Sequence, residues 1–147
     1  MTIKKVAYWT STAILTLGLF TGGLSQLANQ QDTVAAIEHL GYPLYFMSII
    51  GTWKVLAVVA LLVPGFTRLK EWAYAGVFFN MTGAVISHLV CGDPAWRVIV
   101  ALSFAVLAVI SWGMRPESRI LGTLLSATTP SLNGLPMVTS SPRHSSY

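Results

Sequence analysis

Charged residues are scarce in this sequence. Only 10% of its 147 residues are Asp, Glu, Lys or Arg, whereas 54% are hydrophobic. A soluble globular domain carries about 25% charged residues, so these few charges cannot cover a water-exposed surface. The apolar residues are gathered into long runs, and runs of about 20 residues match the hydrocarbon core of a bilayer. The composition excludes an ordinary soluble domain and predicts that a lipid bilayer surrounds most of the chain.

Reactive motifs are missing as well. Cys91 is the only cysteine, so one chain can form neither an intramolecular disulfide nor a CxxC pair. The sequence contains no glycine-rich phosphate loop, nucleophile elbow or haem-attachment motif. No ligand spacing such as HExxH occurs, so we predict no metal site and no resident cofactor apart from the quinone considered below. We therefore expect no catalytic activity from the chain on its own.

The positive charge does not indicate a nucleic-acid partner. The formal net charge is +4, but the basic residues lie in short segments that flank the apolar runs. A nucleic-acid-binding surface needs a continuous basic patch. We interpret the basic residues as signals of membrane orientation instead.

Four apolar runs of membrane-spanning length follow one another. Pro64 and Gly65 end the second run, because proline lacks an amide donor and glycine tolerates turn geometry. A tight turn at residues 92–94 makes the third and fourth helices antiparallel neighbours. We predict an all-α fold, a four-transmembrane-helix bundle in one domain at residues 1–125. The predicted spans are residues 6–27, 44–63, 72–90 and 95–114.

Two segments lie outside the predicted spans. In the first external loop Val34, Ile37 and Leu40 recur at helical spacing, which predicts a short interfacial helix. Residues 126–147 are rich in Ser, Thr and Pro and have no apolar period, which predicts a disordered cytoplasmic tail.

Lysine and arginine are distributed unevenly between the two sides of the predicted bundle. Short loops rich in these residues are retained in the cytoplasm. The opposite side holds Asp32, Glu38 and Asp93, with Arg97 as its one basic residue near a helix end. We therefore predict that both the N- and C-termini are cytoplasmic. The residues that set this orientation are Lys4, Lys5, Arg68, Lys70, Arg115, Arg119 and Arg143.

Lys54 lies near the middle of the second apolar run. A lysine at bilayer depth costs about 2.5 to 3.5 kcal/mol on insertion scales. It should therefore face the bundle interior, a cavity or a partner. The alternative is a lysine that snorkels to the surface or donates to neighbouring carbonyl groups.

The third run carries a polar face. Asn80, Ala84, Ser87 and His88 follow offsets of four, seven and eight residues, which places them on one side of a helix. Together with Lys54, the polar members Asn80, Ser87 and His88 form our candidate ligand-binding set. Interhelical hydrogen bonds that serve packing alone are the alternative for Asn80 and Ser87.

Two smaller candidate sets lie at the ends of the spans. Glu38, His39 and Asp93 are predicted to form an external polar pocket near His88. This set lacks the spacing of a metal site.

The other set is a predicted cytoplasmic loop with Arg68, Lys70 and Glu71, which either contacts anionic lipid heads or anchors the bundle. Trp72 and Tyr74 lie near the same boundary, where amphipathic rings prefer the headgroup region.

Several short segments carry a family resemblance: residues 39–46, 51–54, 61–65, 69–76 and 83–84, followed by Ser87, His88, Gly92 and Asp93. They resemble the DoxX-like family of small bacterial four-helix membrane proteins. The resemblance covers about Val6 to Met114 and implies a four-helix bundle of the inner membrane. The family takes its name from a subunit associated with thiosulfate:quinone oxidoreduction, so the resemblance also implies a link to a redox system.

Three functions are compatible with these patterns. The first is a small accessory or anchoring subunit of a membrane or redox protein partner. The second is a binder of quinone or another lipophilic small molecule, in which Lys54, Asn80 and His88 orient a carbonyl-bearing ring. The third is a small transporter or ion pathway, which would require a homo-oligomer because four helices form a small translocation unit.

Overall fold

The computed structural model describes residues 2–116, in which five helices are joined by short links. No strand occurs within that range, which confirms the all-α prediction. The predicted tail at residues 126–147 and the domain boundary at residue 125 lie outside the described residues. The helices are α1 (Ile3–Leu27), α2 (Gln31–His39), α3 (Leu44–Leu62), α4 (Thr67–Val90) and α5 (Ala95–Gly113).

Three of these helices, α3, α4 and α5, are long and apolar enough to cross a membrane. The helices α3 and α5 contain 19 residues each, and a helix of that size measures about 28 Å at about 1.5 Å per residue. That length matches a hydrocarbon core of about 30 Å. The 25-residue helix α1 is long enough but falls outside this group, because hydroxyl residues such as Ser11, Thr12 and Thr16 make it less apolar.

The third predicted span begins earlier than expected, at Thr67 rather than at residue 72. Gly65 and Phe66 have φ angles of 77° and 47°, so the chain reverses in the left-handed region just before Thr67. Arg68, Lys70 and Glu71 therefore lie in the first turns of α4, and their predicted placement in a loop is wrong. The error arose because a search for apolar runs excludes charged residues, although Arg, Lys and Glu are good helix formers.

The long helices pack side by side and antiparallel, in the circular order α1, α3, α4 and α5. α1 packs most closely against α3, and α4 most closely against α5, whereas α3 and α4 form the loosest neighbouring pair. We name the two ends of the bundle by their residues. The α2 end holds α2 and the turn at residues 91–94, and the Pro64 end holds the link at residues 63–66.

A packed core fills the half of the bundle nearer the Pro64 end. Three hydroxyl groups join α1, α4 and α5 inside it, because Ser111 Oγ lies 2.7 Å from both Thr12 Oγ1 and Tyr74 OH. Tyr74 is 4% exposed and Trp72 is 76% exposed, so Tyr74 is a core residue rather than an interfacial ring. The apolar core consists of Leu15, Leu19, Val58, Leu61, Tyr74, Val77, Met81, Ala105 and Ala108.

The helices α1 and α3 touch at two glycines, Gly23 and Gly51. A methyl group added to Gly51 would stand 3.0 Å from the carbonyl oxygen of Gly23 and 3.1 Å from Gln26 Cβ. A methyl group on Gly23 would stand 3.1 Å from the Gly51 oxygen. Small residues let helix backbones approach in this way, so these glycines set the distance between α1 and α3.

Gly51→Ala should therefore destabilise the protein. The added methyl group meets backbone, which cannot rotate away, and overpacking of this kind costs about 1 to 3 kcal/mol. Thermal unfolding of the detergent-purified protein would measure the effect. Gly76→Ala is the matched control, because a methyl group on Gly76 of α4 meets nothing within 4 Å. Equal unfolding temperatures for the two variants would show that the glycine contact does not limit the packing.

Lys70 caps the end of α3 from the neighbouring helix. Its side chain is buried, and Nζ donates to the carbonyl oxygens of Ala60 at 2.8 Å, Leu61 at 3.2 Å, and Val63. The last carbonyls of a helix lack partners within that helix, and a positive charge is favourable at this end of the helix dipole. Lys70 is thus an internal link between α3 and α4.

Lys70→Met should lower the unfolding free energy by about 1 to 3 kcal/mol, the cost of leaving buried polar groups unsatisfied. Arg68→Met removes a positive charge from the same helix turn at an exposed position and should have little effect. Chemical or thermal unfolding compares the two. The assigned role of Lys70 is wrong if both variants unfold like the wild type.

Candidate functional site

A cavity of about 710 Å³ occupies the half of the bundle nearer the α2 end. We call it the main cavity. All five helices contribute to its wall, and its volume lies within the range of about 300 to 1,000 Å³ that is usual for small-molecule sites. Most of the wall is apolar. Its polar members are Gln26, Asp32, Tyr42, Lys54, Asn80, Ser87, His88 and Arg97.

Lys54 lies in the interior part of the main cavity, between α1 and α4. Its ammonium group is close to Gly22, since a methyl group on that glycine would stand 4.0 Å from Lys54 Nζ. Within residues 2–116, no side chain or carbonyl group accepts a hydrogen bond from Nζ. The alternative in which Lys54 donates to neighbouring carbonyl groups therefore does not describe this structure; Lys70 has that arrangement instead.

Gln26 places a second unsatisfied group beside the main cavity. Its Oε1 atom is buried and has no hydrogen-bond partner among the described residues. A buried acceptor without a donor costs about 1 to 3 kcal/mol. The cavity therefore combines an ammonium donor that lacks an acceptor with an amide acceptor that lacks a donor.

Asp93 organises the rim of the main cavity at the α2 end. His88 Nδ1 lies 2.6 Å from one carboxylate oxygen, and His39 Nε2 lies 2.8 Å from the other. Arg97 Nη1 is 3.9 Å away. The hydrogen bond from His88 holds the pKa of Asp93 below its ordinary value of 3.8. The hydrogen bond from His39 and the charges of His39 and Arg97 also lower this pKa, whereas desolvation raises it. His88 thus contacts Asp93 through Nδ1 while it also belongs to the wall of the main cavity.

A second contact closes the rim beside Asp93. Tyr42 OH lies 2.8 Å from Ser87 Oγ, and Ser87 in turn donates to the carbonyl oxygen of Gly83 at 3.0 Å. The Tyr42 ring stacks on Phe46 with centroids 4.7 Å apart. These contacts fix the segment between α2 and α3 against α4.

The structure brings some predicted sets together and separates others. Lys54, Asn80, Ser87 and His88 all line the main cavity. Of the predicted external pocket, His39 and Asp93 are in contact, whereas the Glu38 side chain is exposed and forms no hydrogen bond within residues 2–116. In that same range, no group of three His, Cys, Asp or Glu residues is placed to hold a metal ion.

The structure does not bring the side chains of the predicted cytoplasmic set together. Arg68 is exposed and Lys70 is buried against α3. Glu71 instead accepts from Arg115 Nη1 and from Trp112 Nε1, each at 2.7 Å. These contacts join α4 to the end of α5, so the three residues serve different purposes.

Sequence reasoning missed Gln26 and Arg97 as wall residues. Gln26 follows Gly22 by four positions and Gly18 by eight, so all three share one face of α1 and all three line the cavity. Arg97 follows Asp93 by four positions and forms an ion pair with it. Both spacings were visible in the sequence.

The fold and the site define a helical membrane protein with an internal cavity in one half. Residues 10–111 match the sequence pattern of the DoxX-like family, which covers more than half of the chain. The chain therefore belongs to the DoxX-like family, and the resemblance noted in the sequence is confirmed. No curated protein and no solved structure matches the chain.

The Asp93 contacts should make stability depend on pH in the acid range. Because the pKa of Asp93 is lower in the folded protein, its contacts stabilise the fold above the ordinary value of 3.8 and are lost as the pH falls below it. Asp93→Asn should lower Tm at about pH 7 and flatten the decline in Tm below about pH 4. Glu38→Gln removes an exposed carboxylate at the same end and serves as the control. If the Tm of Asp93→Asn declined below about pH 4 as steeply as that of the wild type, this assignment would be contradicted.

Proposed function

We propose that the protein binds a lipophilic small molecule in the main cavity, with a ligand oxygen accepting a hydrogen bond from Lys54 Nζ. The observation that carries this proposal is the lack of an acceptor for that ammonium group among residues 2–116. A lysine at bilayer depth costs about 2.5 to 3.5 kcal/mol on insertion scales. A ligand oxygen offsets part of that cost, because charge-assisted hydrogen bonds are about twice as strong as neutral ones.

The walls near Lys54 favour a ligand that joins an oxygen-bearing group to an apolar body. Leu19, Phe79, Met81 and Phe104 supply apolar and aromatic surface there, and a few convergent polar groups on such walls are typical of small-molecule sites. A quinone ring has this chemistry, since its carbonyl oxygens are acceptors on a flat apolar ring. A fatty-acid carboxylate offers the same acceptor chemistry, and the experiment below separates the two sources.

The proposal includes α1 as a fourth membrane span. Several large apolar side chains on α1 are exposed, among them Ile14, Leu17 and Leu24. Several of its hydroxyl groups donate within the helix: Ser11 donates to the Ala7 carbonyl at 2.7 Å, and Thr21 donates to the Leu17 carbonyl at 2.9 Å. Polar groups in lipid need such internal partners, and these bonds offset the lower apolar character of α1.

The distribution of charge supports an orientation with the Pro64 end in the cytoplasm of an inner membrane. Lys4, Lys5 and Arg68 lie at this end, whereas Asp32 and Glu38 lie at the α2 end, in agreement with the positive-inside rule. α2 would then be the interfacial helix of the external side. Its nine residues include exposed polar groups and one buried apolar residue, Ile37.

The two other hypotheses stay predictions. An accessory or anchoring role in a redox system is compatible with a bound quinone, but it depends on a protein partner. A pathway through the chain is less favoured, because Leu15, Leu61 and Ala108 are buried in the core between the main cavity and the Pro64 end. A packed core on the bundle axis suits binding better than passage along that axis.

A decyl-substituted benzoquinone should raise the Tm of the detergent-purified protein, and Lys54→Met should abolish this shift. At a free ligand concentration of about 100 Kd, binding stabilises the folded state by about 2.7 kcal/mol. Lys4→Met is the matched control, because it removes an exposed lysine outside the cavity and should keep the shift. Decanoate in a parallel series distinguishes a carboxylate ligand from a quinone.

The two ligand series have distinct outcomes. A Lys54-dependent shift with only one compound identifies the source of the acceptor oxygen. Stabilisation that persists in Lys54→Met, or no stabilisation by either compound, would overturn the proposal.

A further inference from the structure

A second cavity of about 370 Å³ lies between α3 and α4, on the side facing away from the bundle axis. We call it the side groove. Trp53 and Trp72, which are 67% and 76% exposed, flank it on the outer surface. Among its wall residues, Lys54 is the only charged one. The groove therefore offers a hydrocarbon-like surface that reaches the outside of the bundle.

The side groove and the main cavity are neighbours that share part of their walls at Lys54. Ile50, Lys54 and Asn80 belong to the walls of both. From this junction the main cavity leads to the α2 end, while the groove leads along α3 and α4 toward Ala60 and Leu69 near the Pro64 end. Lys54 thus lies at the junction of two spaces with different chemistry.

Small side chains keep the groove open. Ala57 of α3 faces Ala73 and Gly76 of α4 along its wall, and a methyl group on Gly76 would meet nothing within 4 Å. This is also the loosest contact between neighbouring long helices. The opening follows from residues that leave space between α3 and α4.

We propose that the side groove holds the hydrocarbon tail of an amphiphile whose oxygen-bearing head lies at Lys54, and that this ligand enters from the lipid between α3 and α4. The inference rests on the proposed function and adds the ligand's shape, a single-chain amphiphile, and its route. The position of Lys54 in the walls of both cavities carries it.

The charges at the two openings select this placement of the tail. A tail directed toward the α2 end would pass Asp32, His88 and Arg97, and hydrocarbon gains nothing from charged groups that it desolvates. A tail in the groove contacts Leu56, Val77 and other apolar residues. The polar head then stays near the donors while the chain stays near lipid.

Photolabelling tests this placement in the full-length protein in vesicles of defined phospholipid. The probe is a benzoquinone whose decyl tail ends in a diazirine, and mass spectrometry locates the labelled residues. We expect labels on the groove residues Trp53, Leu56 and Trp72, and an excess of the same ring without a tail should reduce them about tenfold. A diazirine-bearing decane without the ring controls for labelling by a chain in the bilayer alone.

Three glycine variants provide matched controls, since a methyl group on Gly76, Gly83 or Gly113 meets nothing within 4 Å. Gly76→Leu fills the groove and should reduce competition-sensitive groove labelling about tenfold. Gly83→Leu fills the main cavity. It should reduce this labelling too, and it should abolish the Tm shift that the tail-free benzoquinone ring produces. Gly113→Leu, at the end of α5, should change neither measurement.

The outcomes separate this inference from the proposed function. Labels on Tyr42 or Trp96, together with a ring-dependent Tm shift, would place the tail at the α2 end and overturn the inference alone. Groove labelling that the tail-free ring does not reduce would show an ordinary bilayer chain in the groove, with the same consequence. The absence of both a Tm shift and competition would overturn both. The positions of the labelled residues in the wild-type protein show where the tail lies even if Gly76→Leu fails to fold.

Discussion

The contact between Gly23 and Gly51 is the constraint on which the interior of this protein depends. Because neither residue has a side chain, the backbones of α1 and α3 can approach closely, and α3 packs closely on α1 while it packs only loosely on α4. At the Pro64 end, Lys70 and the Ser111 hydroxyl hold the helices together. Within residues 2–116 the packed core does not fill the α2 end, and the main cavity lies there.

Two lysines inside the helical bundle show how surroundings decide the role of one residue type. Lys70 satisfies its ammonium group with carbonyl oxygens at the end of α3, so its charge contributes to folding. Lys54 has no such acceptor among residues 2–116, and its charge remains to be satisfied from outside that part of the chain. The first arrangement is complete in itself, whereas the second favours a ligand.

Local features of this protein were predictable from the sequence, whereas most contacts between distant segments were not. The apolar runs located α3, α4 and α5, and helical spacing placed Asn80, Ser87 and His88 on one face, because both depend on neighbouring residues only. The topology also predicted that His39 and Asp93 lie at the same end of the bundle, and the two are in contact although 54 residues separate them. The burial of Lys70 was missed, because its partners belong to another helix and no spacing rule reaches them.

The two openings of the cavity system discriminate between classes of ligand. At the α2 end, a ligand from water passes Asp32, Arg97 and the histidines bound to Asp93, so it must be polar enough to tolerate charged neighbours. Through the side groove, a ligand from lipid passes tryptophan and aliphatic side chains before it reaches the first charge at Lys54. Desolvating charged groups is costly, whereas an alkyl chain that moves from lipid into an apolar groove desolvates none. The proposed amphiphile follows the second route because only its head needs a charged partner.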